Sequence, residues 1–326
     1  MKILVRAAVA ALSITALLPA QGQVLGGDFS GAYTVTDLGS VADLPSNYGG
    51  LTFLNNSTLL IGGAANGPSG SLYTVGVVRD SANHITGFSG TALRYGTAIG
   101  EYNDGGVAFG PGGVLFTARW PVNEIGQTKP GSVDEDKVIN LGALGVASSH
   151  AAFAFVPTGF GGAGSMKLVS YGGGQWYSAS LAADGNGTYD IVGLSQVDLD
   201  PLVAGIQNVP GGPEGFVYIA AGNAGFTSAS MLISEYGAGT VGAYALDADG
   251  NPLVATRRNF LTGLSGAEGA AIDPLTGDFL FSTFGGGSRV VVVSGFIAPP
   301  VPEPSTWLLM GLGLLACTAA ARRRRG

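Results

Sequence analysis

Three observations predict an all-β fold for this 326-residue chain. Short apolar runs bounded by Gly, Asn, Asp and Pro recur between residues 23 and 298, with little helical periodicity among them. The 56 glycines, about 17% of the chain against ~7% in ordinary proteins, are interleaved with Val, Leu, Ile, Phe and Tyr. That mixture is turn chemistry rather than the polar, Pro-rich composition of disorder. Finally, the runs repeat with a period near 50 residues.

Each repeat opens on a strand of small residues. These are Gly49-Gly50-Leu51-Thr52-Phe53, Gly105-Gly106-Val107-Ala108-Phe109, Ala151-Ala152-Phe153-Ala154-Phe155, Gly215-Phe216-Val217-Tyr218 and Gly269-Ala270-Ala271-Ile272, with starts 56, 46, 64 and 54 residues apart. A second apolar strand follows in every unit: Thr58 to Ile61, Val114 to Ala118, Met166 to Tyr171, Met231 to Tyr236 and Phe279 to Phe284. A third follows in most, at Ser71 to Val78, Gln175 to Leu181, Thr240 to Leu246 and Arg289 to Phe296. Three or four strands per ~50-residue unit predict a β-propeller, whose innermost strands crowd the axis and favour small residues. The count is five blades, or six if Asp190 to Pro210 holds another; an irregular β-sandwich is the competing architecture. The last unit lacks a fourth strand, and Gly31 to Val41 is expected to supply it, closing the ring and removing open edges. Pro121 to Asn140, the densest charge in the body, reads as a surface excursion in the second unit. Its Asp134-Glu135-Asp136 cluster is either a solvated loop or a Ca²⁺ site.

The two ends are of a different kind. Lys2 and Arg6, the apolar run Ala7 to Leu18 and small residues at Ala20-Gln21-Gly22 form a secretory signal peptide over residues 1–22, for a signal peptidase to remove. Residues 23–298 are then the exported domain and 299–326 a tail. In the tail, Pro302-Glu303-Pro304 is helix-averse, because each proline fixes φ and removes a donor. Trp307 to Ala321 is uncharged, with Leu308, Leu309, Leu312, Leu314 and Leu315 for its apolar face, and Arg322, Arg323, Arg324 and Arg325 follow. Its 15 residues make a helix of about 22 Å, short for a hydrocarbon core of about 30 Å but within reach of snorkelling arginines. The arginines stay cytoplasmic, so the body lies on the far side of the inner membrane.

This order of parts closely resembles the PEP-CTERM sorting signal of Gram-negative bacteria, over 26 of 326 residues. The resemblance implies that Pro302, Glu303 and Pro304 are read by a membrane-embedded exosortase, that Trp307 to Ala321 is the transmembrane segment and that Arg322 to Arg325 are the retention charges. It also implies delivery to the cell surface or an exopolysaccharide matrix. A plain membrane anchor is the other reading of the same residues, and both give an exported protein.

Charge excludes one class of partner. Setting aside both ends leaves 9 basic against 21 acidic groups, a net charge near −12, so no basic stripe exists to bind nucleic acid. The one cysteine, Cys317, lies in the tail, so the exported body carries no disulfide.

The residues that precede the five first strands are Tyr48, Asp104, His150, Glu214 and Glu268. In a propeller these positions converge on one mouth of the channel. Asp104, Glu214 and Glu268, with His150 beside them, are therefore the candidate ligand or metal site, and Ca²⁺ is the cofactor such oxygens would take. Solvated strand ends that cap backbone groups are the simpler account of the same pattern. No catalytic motif is present: Gly263-Leu264-Ser265-Gly266-Ala267 falls one residue short of a nucleophile elbow, and two histidines leave few ways to build a triad. Asp247-Ala248-Asp249-Gly250-Asn251 and Asp184-Gly185-Asn186-Gly187 occupy equivalent places and read as hairpin turns. Trp120, Trp176, Tyr102 and Tyr177 are candidates for stacking on sugars, with core packing as the default for each. The sequence thus points to a structural or carbohydrate-binding propeller of the surface or matrix. The alternative is a propeller hydrolase or lactonase with a central divalent metal at Asp104, Glu214 and Glu268.

Overall fold

The computed structural model describes residues 22–297. The signal peptide expected over residues 1–22, apart from its last residue, and the tail with its expected transmembrane segment lie outside these residues. Among the described residues the only helical pieces are three short 3-10 turns, and no helix is long and apolar enough to cross a membrane.

Twenty-one strands form five sheets. Val24–Leu25 is β1 and Thr34–Gly39 is β2. Blade 1 is β3 (Leu51–Asn55), β4 (Thr58–Gly63), β5 (Ser71–Arg79) and β6 (Ile85–Arg94). Blade 2 is β7 (Asn103–Phe109), β8 (Leu115–Arg119), β9 (Glu124–Thr128) and β10 (Lys137–Asn140). Blade 3 is β11 (His150–Phe155), β12 (Met166–Ser170), β13 (Trp176–Ala183) and β14 (Tyr189–Val197). Blade 4 is β15 (Pro213–Ile219), β16 (Ser230–Glu235), β17 (Thr240–Ala245) and β18 (Arg258–Thr262), and blade 5 begins with β19 (Ala267–Ile272), β20 (Phe279–Thr283) and β21 (Val290–Ser294). The first strands pack in a closed ring, β3 on β7, β7 on β11, β11 on β15, β15 on β19 and β19 on β3.

The expected N-terminal strand does complete blade 5. β2 pairs antiparallel with β21, Thr34 opposite Ser294 and Val35 opposite Val293. β1 then adds to the outer edge of blade 4, Val24 opposite Thr262. Two expectations need correction. Residues 190–210 hold no sixth blade, because β14 is the fourth strand of blade 3. Pro121 to Asn140 is no loop excursion: it contains β9 and β10. Its charges hid the strands because they are paired in place. Arg119 meets Glu124 at 3.2 Å and pairs with Glu135, and Lys129 meets Asp136 at 3.0 Å. Asp134 accepts from the Thr97 hydroxyl. These acids are therefore engaged with neighbouring side chains.

Side-chain alternation builds the ring. Successive residues of a strand face opposite sides of its sheet, so a middle strand buried on both faces reads as an unbroken apolar run. In β4, Leu59 and Ile61 pack toward blade 5 and Leu60 toward blade 2. In β12, Leu168 packs toward blade 2 and Val169 toward blade 4; in β20, Phe279 and Phe281 face blade 4 and Leu280 faces blade 1. Five separate apolar clusters result, one per interface between blades. Three hairpins between third and fourth strands, in blades 1, 3 and 4, share one aspartate device. Asp80 accepts from the amides of Ala82 and His84, Asp184 from Asn186 and Thr188, and Asp247 from Asp249 and Asn251. The two aspartate loops of the sequence are therefore turns.

Candidate ligand and cation site

Antiparallel pairing puts the start of each first strand beside the end of its second strand, so both sets of residues share one face of the ring. At that face Asp104, Glu214 and Glu268 converge from blades 2, 4 and 5, each offering a carboxylate oxygen within 4.8 Å of the others. They are 0%, 4% and 0% exposed. Glycine makes the convergence sterically feasible. A Cβ at Gly105 would lie 2.8 Å from Glu214 Oε2 and 2.7 Å from the Gly215 nitrogen, and one at Gly215 would lie 2.6 Å from the Ala270 nitrogen. The backbones thus nearly touch across the axis, and the Gly50 N–H donates to the Asp104 carbonyl at 2.7 Å.

Few groups satisfy these acids. With its nitrogen turned inward, the Asn66 amide donates to Asp104 Oδ1 at 2.9 Å. Asp104 Oδ2, Glu214 Oε2 and both Glu268 oxygens receive no N–H or hydroxyl donor, and no ion pair among the described residues involves any of the three. Asp104 and Glu268 can hydrogen-bond each other only through a shared proton. Burial pushes the Asp104 carboxyl up to about 7. Burial, and then the charge of Asp104, raises Glu214 well above the usual range; burial, and then the charges of Glu214 and Asp104, do the same to Glu268. Buried unpaired anions are costly, so the trio either holds protons or binds a cation.

Not every residue expected at this mouth reaches it. His150 is buried with its ring nearly parallel to Phe153 at 6.1 Å, and it stays out of the carboxylate group. Burial drives its imidazole down to about 4, so the ring is neutral. Tyr48 turns into the core between blades 5 and 1, where its hydroxyl accepts the Val41 N–H at 2.8 Å. Trp176 and Tyr177 are also core residues: the Trp176 indole donates to Asn251 at 3.1 Å and the Tyr177 hydroxyl accepts from Ala147 at 2.8 Å. Tyr102 has the Arg119 guanidinium over its ring at 5.6 Å. Trp120 is half-buried at the carboxylate face, where it follows β8.

Sequence reasoning missed the aromatic neighbours of the trio. Tyr171, Tyr236 and Phe284 each follow the second strand of blades 3, 4 and 5, as Trp120 does in blade 2. Burial first, and then the charges of Glu214, Glu268 and Asp104, raise the Tyr171 phenol; burial, and then Glu268, raise Tyr236. Their shared register, the last residue of each second apolar run, was the available signal.

The opposite end of the channel differs. Past the glycine constriction the first strands flare into an apolar funnel of about 510 Å³, walled by Phe53, Phe109, Phe155, Val217 and Ile272. β21 runs in the same direction as β19, so the chain leaves blade 5 at this end. There the Ile297 N–H donates to Asn223 Oδ1 at 2.7 Å, on the connection between β15 and β16. The path toward the tail therefore starts on the side away from the carboxylates.

Similarities to known proteins were found for both the tail and the body. Residues 300–325 match the PEP-CTERM protein-sorting motif. No curated protein sequence matches the chain. Among solved structures, a putative oxidoreductase (glucose dehydrogenase) of Thermus thermophilus is 15% identical, with TM-score 0.44 and coverage of 80% of this chain and 99% of that one. A putative 6-phosphogluconolactonase of Bacteroides uniformis is 16% identical, with TM-score 0.42 and coverage of 82% and 71%. An auxiliary nutrient binding protein of Bacteroides ovatus is 12% identical, with TM-score 0.43 and coverage of 81% and 76%. The motif implies export as a membrane-anchored precursor and processing by an exosortase. The chain is accordingly an exported protein: a five-bladed β-propeller followed by a PEP-CTERM sorting motif.

Proposed function

We propose that the protein is a ligand-binding propeller of the cell surface or exopolysaccharide matrix, with a divalent cation, Ca²⁺, held at Asp104, Glu214 and Glu268. One observation carries this reading: three buried carboxylates meet within 4.8 Å, with four oxygens unpaired. Ca²⁺ takes 6–8 oxygens at about 2.3–2.6 Å, so opposite ligands lie up to about 5 Å apart, and the trio fits that span. Bound there, the ion would neutralise charge that otherwise needs protons. Three carboxylates supply fewer oxygens than the 6–8 that Ca²⁺ takes, which leaves coordination positions for a ligand. In the anchored precursor this mouth would point away from the membrane, since the chain leaves for its tail at the other end.

Calorimetric titration of the purified protein with Ca²⁺ and Mg²⁺ tests the site. Saturable Ca²⁺ binding, lost in Glu214→Gln and Glu268→Gln, supports it; unchanged binding in both variants places the ion elsewhere. The second reading, a propeller hydrolase or lactonase, draws on the same free coordination positions, which would accept a water or a substrate carbonyl. Turnover of a lactone and ester panel by wild type but not by Glu268→Gln would favour it.

A further inference from the structure

An ion alone needs no aromatic surround, yet this face has one. Trp120, Tyr171, Tyr236 and Phe284 occupy one register position in blades 2 to 5, and all four are half-buried rather than sealed into the core. The Tyr171 and Tyr236 rings are 5.8 Å apart at 83°, and Tyr236 and Phe284 are 6.0 Å apart at 69°. Each ring therefore meets the next edge to face, and the three form one continuous arc.

The arc is tied to the carboxylates. A Cβ at Gly212, two residues before Glu214, would lie 2.9 Å from Tyr171 Cε2; one at Gly266, two residues before Glu268, would lie 2.8 Å from Tyr236 Cε2. Each tyrosine therefore leans over the segment that delivers the next blade's acid. Among the described residues neither phenol hydroxyl has a protein hydrogen-bond partner. Blade 1 places Ala64 at the equivalent position, which leaves a notch in the collar.

We propose that this collar binds a neutral saccharide, whose vicinal hydroxyls reach the central cation while its C–H faces lie against Tyr171, Tyr236 and Phe284. The proposal rests on the Ca²⁺ reading above. Hydroxyl pairs are oxygen donors of the hard kind Ca²⁺ accepts. Aromatic walls suit the apolar face of a sugar ring, and the two free phenols can hydrogen-bond its rim. Charge selects against acidic sugars: three carboxylates against one Ca²⁺ leave the site at −1, and no lysine or arginine takes part in the collar.

The test is titration of the Ca²⁺-loaded protein with a panel of neutral methyl glycosides, with glucuronate and choline as comparators, read by calorimetry and intrinsic fluorescence. A neutral glycoside should bind, glucuronate should bind at least tenfold more weakly, and EDTA should abolish binding. Tyr236→Ala and Phe284→Ala should each weaken the glycoside tenfold or more while leaving the Ca²⁺ thermal shift intact; Tyr236→Phe should retain part of the affinity. A normal Ca²⁺ shift with no glycoside bound overturns the saccharide proposal alone. Choline binding that strengthens in EDTA also overturns it, assigning the collar to ammonium ligands. Absence of any Ca²⁺ shift overturns the cation reading and the proposal with it.

Discussion

Replacing Glu268 by Gln should move stability in opposite directions with and without Ca²⁺. Two carboxylates within 4.8 Å repel by at least about 3.5 kcal/mol at an effective dielectric of ~20, equivalent to about 2.5 pK units. That repulsion, added to burial, raises Glu214 and Glu268, while burial raises Asp104, so the folded acids keep protons that the unfolded chain releases. Folded pKa values above the unfolded ones give a stability contribution that is complete below about pH 4. It is lost as pH rises through the Asp104 value of about 7 and the higher values of Glu214 and Glu268. Removing one acid should therefore raise the stability of the cation-free protein by on the order of 2–4 kcal/mol at pH 7–8. The amide also brings a donor to its two neighbours. In wild type, Ca²⁺ at 100 times its Kd should add about 2.7 kcal/mol, or about 5–11 °C for a domain of this size. Glu268→Gln should lose that gain. Differential scanning calorimetry between pH 5 and 8, in EDTA and in Ca²⁺, reads both effects. A variant that melts below wild type in EDTA and still responds to Ca²⁺ would refute the reasoning.

Four further outcomes are expected. Gly105→Ala should displace Glu214 and suppress the Ca²⁺ shift, since its Cβ would fall 2.8 Å from Glu214 Oε2; an unaltered titration would count against the constriction. His84 meets the buried Asp278 at 2.6 Å across blades 1 and 5, and that hydrogen bond raises its pKa. The stabilisation should be complete below about pH 6.5 and fade as pH rises through the folded value, a trend that His84→Gln should flatten in thermal melts. Phe281→Ala, which empties a fully buried site between blades 4 and 5, should cost about 3–5 kcal/mol by denaturant unfolding. Substituting Pro302, Glu303 and Pro304 together by Ala should block tail processing while leaving membrane association; normal processing on immunoblots would reduce the tail to a plain anchor.

Much of the fold was legible because it is written locally. The first strands need small residues at the axis and the second strands need apolar residues on both faces, so ten strands stood out by composition. Even β2 could be placed, because a ring one strand short must be completed by the unassigned N-terminal run. The fourth strands were harder. β6, β10 and β14 lie on the outer edges of their sheets with exposed, polar faces, and β9 carries charges matched by partners that sequence spacing cannot reveal.

By itself the sequence determined the address, the repeat and the acids at three strand starts, since each is a contiguous pattern of residue types. Only the tertiary structure decided which strand starts meet. Asp104, Glu214 and Glu268 are neighbours because glycine lets three backbones approach the axis, while His150 packs on Phe153 and Tyr48 turns to the core. The collar belongs to the same category. Tyr171, Tyr236 and Phe284 are 48 to 113 residues apart in the chain and become one wall only when the ring closes.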